Sequence, residues 1–199
     1  MSLATIVALE RNVSYSEQAY AELKRLIILN ELKAGTVLNE RNVSARLSIS
    51  RTPVRDALQM LESKGWVTRR GKNKVVTTIT QKLIQEIFDI RRSLELLSVD
   101  LARDKIGDTD LDYYNSLIAQ FVGIRDKAAL SPTLDPANHI AILEIDKKFH
   151  LYMSKISGND TLITMLDELF EQFVRIHIIT FHDSLSRIDH LANTHRELN

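Results

Sequence analysis

The chain has 199 residues, of which 44% are hydrophobic and 26% are charged, a balance typical of a folded globular protein that excludes a wholly disordered chain. It contains no cysteine, which excludes a disulfide framework, a thiolate zinc site and a cysteine nucleophile. The formal net charge of zero conceals an asymmetry, because residues 1–79 carry 13 basic against 7 acidic residues, whereas residues 80–199 carry 13 against 19. This asymmetry predicts two domains with different partners, and the basic excess of the first predicts that it binds a polyanion.

No apolar run approaches the roughly 18 residues that a membrane-spanning helix needs. The apolar stretch at residues 3–9 lacks a basic lead and is followed by Glu10, which is untypical of a signal peptide. Together with the absence of cysteine, these features favour a cytoplasmic protein without a membrane partner.

The first 79 residues have the pattern of three helices followed by a β-hairpin. The helices are predicted after Ser14 or Ser16 to Leu29, after Asn39 or Asn42, and from Arg51 to about Lys64. Residues 48–50 form a tight break between the second and third helices, and Gly65 ends the third.

Extended segments are predicted at three places in this first part. Residues 36–38 form a very short extended piece, and residues 66–68 and 75–79 form two strands on either side of a polar turn at residues 69–74. After Thr80 the strands disappear, so the domain boundary is placed between residues 79 and 80.

Residues 50–58, SRTPVRDAL, begin the third helix with an unusual polar face. At about 100° per residue, one side of this helix is apolar, with Val54, Ala57, Leu58 and Leu61. The opposite side carries Arg51, Thr52, Arg55 and Gln59, and Ser50 is the predicted N-cap. Two arginines in the first turns repel the positive end of the helix dipole, so helix stability does not explain them, whereas a nearby anion does.

The third helix follows the second after a short break, which is the helix-turn-helix arrangement. In this arrangement the later helix, here the third, presents its N-terminal side chains to the major groove of DNA. An arginine can bond guanine O6 and N7 together or bind a phosphate through two hydrogen bonds. The basic hairpin is then a wing beside the recognition helix. Two other interpretations stay open, because the arginines can also serve only to solvate the helix, and winged helices can also dock proteins.

The motif SRTPVRDAL followed by LESKGWV, within residues 19–79, resembles the DNA-binding domain of GntR-family bacterial transcription regulators. The resemblance implies double-stranded operator DNA as the partner. The DNA contacts that it implies are Arg41 on the second helix, Ser50, Arg51, Thr52 and Arg55 on the recognition helix, and Arg70 and Gly71 in the wing.

In the acidic second part, long helices are predicted over 80–105, 108–129, 137–157, 160–182 and 184–199. Asp146 and His150 lie four residues apart on an edge with apolar neighbours, so both are expected to point partly inward. Such a pair can bind one metal ion, or it can form a buried hydrogen bond in which Asp146 orients the imidazole. His195 lies on an apolar stripe, where a lone histidine is usually a core residue.

The helical part, with IFDIRRSLELLSVDLA in its first helix, resembles the FCD class of effector domains that follow GntR heads. The resemblance implies an antiparallel bundle that holds a small organic acid and, in many members, a divalent metal of the zinc, nickel or manganese class on one Asp and three His. The segment DKKFH supplies Asp146 and His150, and THREL supplies His195. The fourth ligand falls beyond Asn199, so the chain is expected to be truncated, or to have an incomplete site or another ligand, with His177 and His182 as substitutes.

Two more residues are candidates for the effector site. Arg91 and Arg92 lie in the first bundle helix, and one of them turned inward can bind a carboxylate through two hydrogen bonds; the alternative is a surface ion pair with Glu95 or Asp89. Arg91 is selected as the effector ligand. His139 is selected as well because it shares a helix edge with Asp146, although it can equally face solvent.

These observations predict a mostly α protein with a winged helix-turn-helix domain at residues 1–79, ordered from about residue 14, and an all-helical domain at residues 80–199. The predicted function is a ligand-responsive transcription regulator with no catalytic residues, which binds a two-fold operator as a homodimer. The alternatives are a winged helix that docks proteins and a metal-dependent hydrolase. The hydrolase lacks an evident general base near Asp146, His150 and His195, and it leaves the basic head unexplained.

Overall fold

The computed structural model describes residues 14–128 and 136–180. The chain divides into two compact units between Thr78 and Ile79, within one residue of the predicted boundary. In the part of the chain that the structure describes, no helix is both long enough and apolar enough to cross a membrane.

From residue 14 onward, the first unit has three helices and three short strands. They are α1 (Tyr15–Ile28), β1 (Val37–Leu38), α2 (Glu40–Leu47), α3 (Arg51–Ser63), β2 (Val67–Arg70) and β3 (Asn73–Val76). Ser14 caps α1 through a capping box with Glu17, and Asn39 caps α2 by accepting from the backbone N–H of Arg41. Ser50 is the N-cap residue of α3, as predicted, but it makes no side-chain capping bond in the described structure.

The strands form an antiparallel sheet in the order β1-β3-β2. Arg70 pairs with Asn73, so the hairpin turn consists of Gly71 and Lys72, and Gly71 has a φ of +62° that suits glycine. The prediction of a polar turn over residues 69–74 was therefore wrong. The exposed arginines of β2 continue the strand because backbone pairing with β3, rather than side-chain hydrophobicity, sets its length.

The core of the first unit is built around α3. The predicted apolar arc, Val54, Ala57, Leu58 and Leu61, has no exposed surface. Val54, Leu58 and Leu61 pack in one cluster with Leu23 and Ile27 of α1 and with Trp66, Val67 and Val76 around the sheet. Because the arc is fully buried, the rotation of α3 about its axis is fixed, and the opposite side of the helix faces outward.

The second unit is a bundle of long helices within the described residues. They are α4 (Gln81–Ala102), α5 (Asp108–Ala128), α6 (Pro136–Ser157) and α7 (Asp160–Thr180). Thr80 caps α4, as predicted, by accepting from the backbone N–H of Leu83. The helix predicted over residues 184–199 lies outside the described residues.

Helix α6 contacts each of the other three helices of the bundle, and α4 also contacts α7. One hydrophobic cluster joins α5 to α6 through residues such as Tyr114, Phe121 and Phe149. A second cluster joins α6 to α7 through Leu151 and Phe170. The predicted fold class, a mostly α chain with a small winged sheet in its first unit, is confirmed.

The substitution Leu58→Ala removes a fully buried side chain at the centre of the first unit. We expect a loss of about 3 kcal/mol in unfolding free energy, because the atoms lost leave a cavity. Urea unfolding followed by circular dichroism measures the change. The neighbouring exposed residue provides the control, and equal midpoints for Leu58→Ala and Gln59→Ala would contradict the described core.

Candidate DNA-binding surface and interior cluster of the helical unit

The predicted DNA-contact residues on α3 lie on its outward side. Arg51, Thr52 and Arg55 are exposed on the first turns of α3, and Ser50 is exposed immediately before them. Since Val54, Ala57 and Leu58 hold the other side in the core, the polar face is available to a partner along its length. This arrangement is the one that a recognition helix needs.

A cleft of about 440 Å³ lies between the N-termini of α2 and α3 and the hairpin. Its charged and polar lining residues are Asn39, Glu40, Arg41, Arg51, Arg69, Lys72, Asn73 and Lys74. The structure thus brings Arg41, which the family resemblance implied, to the same cleft as Arg51 and the wing. Five basic side chains from three elements make this cleft suitable for a polyanion.

The other predicted wing residues, Arg70 and Gly71, are exposed at the tip of the hairpin. Arg69 and Lys72, which were predicted only as part of a basic turn, line the cleft itself. Their position in the cleft was not predicted, because it depends on the register of the hairpin, which is set by pairing between β2 and β3.

Two carboxylates, Glu62 and Glu40, hold basic residues of this surface, and neither was predicted from the sequence. Glu62 of α3 forms an ion pair with Lys74 at 3.0 Å and accepts a hydrogen bond from Arg69 at 3.4 Å, which ties the wing to the recognition helix. The contact with Lys74, followed by that with Arg69, holds the pKa of Glu62 below its usual range. Glu40 of α2 accepts from Arg55 and raises the pKa of that arginine, chiefly through the hydrogen bond.

The second unit places a charged cluster in its interior. Arg91 on α4 is 7% exposed, and its guanidinium lies 4.1 Å from the ring centre of Phe170 and 4.0 Å from that of Phe173. Its Nε donates to Glu95, one turn further along α4. Of the two predicted arginines, Arg91 therefore turns inward while Arg92 is exposed, and the ion pair with Glu95 is internal.

His150 lies between two carboxylates in this cluster. Its Nδ1 is 3.2 Å from Glu95 Oε2, and its Nε2 is 3.5 Å from Oδ1 of Asp146, which is 1% exposed. Burial lowers the pKa of His150, but the hydrogen bonds with Asp146 and Glu95 outweigh it and raise the pKa to about 9. Glu95 thus links Arg91 to His150, and so links α4 to α6.

The 3.5 Å between Asp146 and His150 is compatible both with a hydrogen-bonded pair and with a shared metal ion. Two ligands held about 2.1 Å from a tetrahedral ion lie about 3.4 Å apart, close to the 3.5 Å between Oδ1 and Nε2. Glu95 at the opposite ring nitrogen is the kind of partner that orients a metal-ligating histidine. Within the described residues, no three metal-ligating side chains are placed so that they could hold one ion together.

Some of the remaining candidates lie outside the described residues. These are His195 and His182, the latter a predicted substitute for the fourth metal ligand, and the side chain of His139, a candidate for the effector site, is likewise not described. His177, the other predicted substitute, is buried on α7 with its ring centre 4.3 Å from that of Phe173. His177 therefore shares Phe173 with Arg91 at this side of the cluster.

Both units match known families. Residues 15–76 match the family described as bacterial regulatory proteins, gntR family, and residues 86–199 match the FCD domain. The chain is a GntR-family regulator with an FCD domain. The resemblance seen in the sequence is thereby confirmed. GntR regulators bind DNA, and an FCD domain indicates a small-molecule effector.

Individual relatives agree with this assignment. The HTH-type transcriptional regulator YdhC of Bacillus subtilis is 27% identical over 187 residues, which are 94% of this chain and 78% of that protein. The gluconate operon transcriptional repressor of the same species is 39% identical over 74 residues, 37% of this chain and 30% of that protein. The solved structure of Escherichia coli McbR/YncC superposes with a TM-score of 0.67 at 24% identity, covers 92% of this chain and 84% of its own, and shows the same fold.

Proposed function

We propose that the protein is a cytoplasmic, ligand-responsive transcription regulator that binds a two-fold operator as a homodimer. The observation that carries the proposal is the outward polar face of α3 beside a basic cleft. Arg51 and Arg41 line this cleft together with wing residues, and Arg55 and Thr52 continue the face along α3. A surface built from a helix N-terminus and a basic hairpin fits the major groove and the adjoining backbone.

The homodimer follows from the symmetry of DNA sites. One copy of α3 covers one half-site, and a symmetric pair of copies covers two half-sites related by a two-fold axis. An effector in the helical unit then changes DNA affinity by binding one arrangement of the pair more tightly than another.

The proposed effector is a small organic acid that binds at Arg91. The Phe170 and Phe173 rings hold the guanidinium in the interior, where a hydrogen bond to a carboxylate is stronger than at the surface. Glu95 occupies this position in the described structure, so the acid competes with Glu95 for Arg91. His139 is proposed as a further contact because it shares a helix with Asp146.

A divalent metal of the zinc, nickel or manganese class is the proposed cofactor. Asp146 and His150 would hold it, with His195 as the third ligand, and such an ion would supply a positive centre for a carboxylate or hydroxy-acid. Glu95 would keep the His150 ring oriented by accepting from Nδ1.

Arg51→Ala and Arg55→Ala test the DNA surface. We expect each to weaken binding to a duplex selected by the wild-type protein from a random pool by about 10-fold or more if the arginine reads a base. A loss that is equal for all sequences would instead indicate a phosphate contact. Fluorescence anisotropy measures the affinities, with Arg125→Ala on α5 as the matched control. Wild-type affinity in both variants would overturn the recognition-helix proposal.

Arg91→Gln tests the effector site, and Arg92→Gln on the same helix is the matched exposed control. We expect at least one acid from a panel of mono-, di- and hydroxycarboxylates to raise the melting temperature of the wild-type protein. The shift should vanish in Arg91→Gln and persist in Arg92→Gln. Circular dichroism checks that both variants are folded, and a retained shift in folded Arg91→Gln would contradict the proposal.

Elemental analysis of the purified protein tests the metal. We expect about one divalent ion per chain in the wild type, and loss of that ion in His150→Ala and Asp146→Asn, because each removes a ligand. Lys148→Ala, an exposed substitution on the same helix, should keep the ion. The absence of metal from the wild type, even after incubation with zinc, nickel or manganese, would leave Asp146 and His150 as a buried structural pair.

A further inference from the structure

The basic cleft proposed to bind DNA also contains a carboxylate, whose negative charge disfavours DNA binding. Glu40 at the start of α2 is the acidic residue among the described side chains that line the cleft, and its side chain is 34% exposed. A negative charge at this place repels DNA phosphates and lowers affinity for any duplex. Overall DNA affinity therefore does not explain Glu40, and its contact with Arg55 is the feature that needs an explanation.

Glu40 binds Arg55 along one edge of the guanidinium. Nε of Arg55 lies 3.3 Å from Oε1 and 3.4 Å from Oε2, and Nη2 lies 3.3 Å from Oε2. Because the guanidinium is planar, a carboxylate on the Nε–Nη2 edge leaves the end formed by Nη1 and Nη2 directed away from it. Glu40 also sits in the first turn of α2, where the helix dipole and the Asn39 cap favour a fixed anion.

An arginine can bind either a guanine base or a phosphate of DNA, and the two differ in whether they need the Nε–Nη2 edge to be free. Guanine presents O6 and N7, which a single end of the guanidinium can bond together. A phosphate can approach any edge, and near Glu40 it meets both a competitor for the Nε–Nη2 edge and a like charge. The pair with Glu40 therefore disfavours a phosphate contact by Arg55 while it holds the opposite end in place for a base.

We propose that Glu40 is a specificity-determining residue, which holds Arg55 for base readout and penalises its use on the phosphate backbone. This inference rests on the proposed contact of Arg55 with DNA. In a specific complex the pair between Glu40 and Arg55 is kept, and the Nη1–Nη2 end contacts a guanine. In a non-specific complex a phosphate at Arg55 meets the negative charge of Glu40, which weakens that contact.

The substitution Glu40→Gln tests the inference because it keeps the size of the side chain and removes its charge. The probes are the duplex that the wild-type protein selects from a random pool and a scrambled duplex of the same composition. We expect Glu40→Gln to bind the scrambled duplex more tightly, and the slope of log affinity against log salt on that duplex to steepen by about one unit, as one added phosphate contact requires. The ratio of specific to non-specific affinity should fall about 5-fold or more.

Asp56→Asn is the matched control, since Asp56 is exposed on α3 next to Arg55 and acts on it through its charge. A fall in specificity equal to that of Glu40→Gln would show a general charge effect and overturn the inference. Equal gains on both duplexes in Glu40→Gln would overturn it as well. Thermal unfolding of each variant verifies that α2 and the surrounding unit remain folded.

The double variant separates this inference from the proposed DNA surface. If Glu40 acts through Arg55, Glu40→Gln should leave the specificity ratio unchanged when Arg55 is already alanine. If the two residues act independently, the effects of the two substitutions on the ratio should add. Wild-type affinity in Arg55→Ala would overturn the contact of Arg55 itself. A normal loss in Arg55→Ala together with an unchanged ratio in Glu40→Gln would overturn only the role of Glu40.

Discussion

The burial of one side of α3 is the constraint on which the DNA-binding unit depends. Val54, Ala57, Leu58 and Leu61 have no exposed surface, and the three larger ones form a single cluster with residues of α1, α2 and the sheet. A helix held in this way cannot rotate without exposing several large apolar side chains, which would cost several kcal/mol. The outward direction of Arg51 and Arg55 is therefore a consequence of core packing, and surface electrostatics act on an orientation that is already fixed.

The sequence predicted α3 well because its two sides differ in composition over a short distance. The wing was predicted less well, because its length depends on pairing between β2 and β3 and on the addition of β1, whose Val37 lies opposite Val75. Neither the pairing of β2 with β3 nor the addition of β1 produces a recognisable pattern in the local sequence. The roles of Glu40 and Glu62 were missed for the same reason, since Glu40 and Arg55 are fifteen residues apart and meet only when α2 packs on α3.

In the helical unit, contacts between residues distant in sequence limited the prediction even more. The four-residue spacing predicted that Asp146 and His150 share a helix face, and both do lie inward. The choice between Arg91 and Arg92 did not follow from pattern, because α4 carries large apolar residues on several sides, including Ile90, Leu96 and Val99, which are about half exposed. Contact with α6 and α7 decides which side is internal, and such contacts are not local in sequence.

Glu95 gives the interior cluster a property that its separate residues lack. It bonds Arg91 on its own helix and His150 on α6, so anything that takes Arg91 from Glu95 also changes the surroundings of His150. Under the proposed function, an acid at Arg91 and a ligand at His150 are therefore coupled through one carboxylate. Such coupling is reciprocal, because a change in affinity at one site requires an equal change at the other. Under the proposed function, the carboxylate that holds Arg91 is thus also the group through which an acid at Arg91 would affect α6.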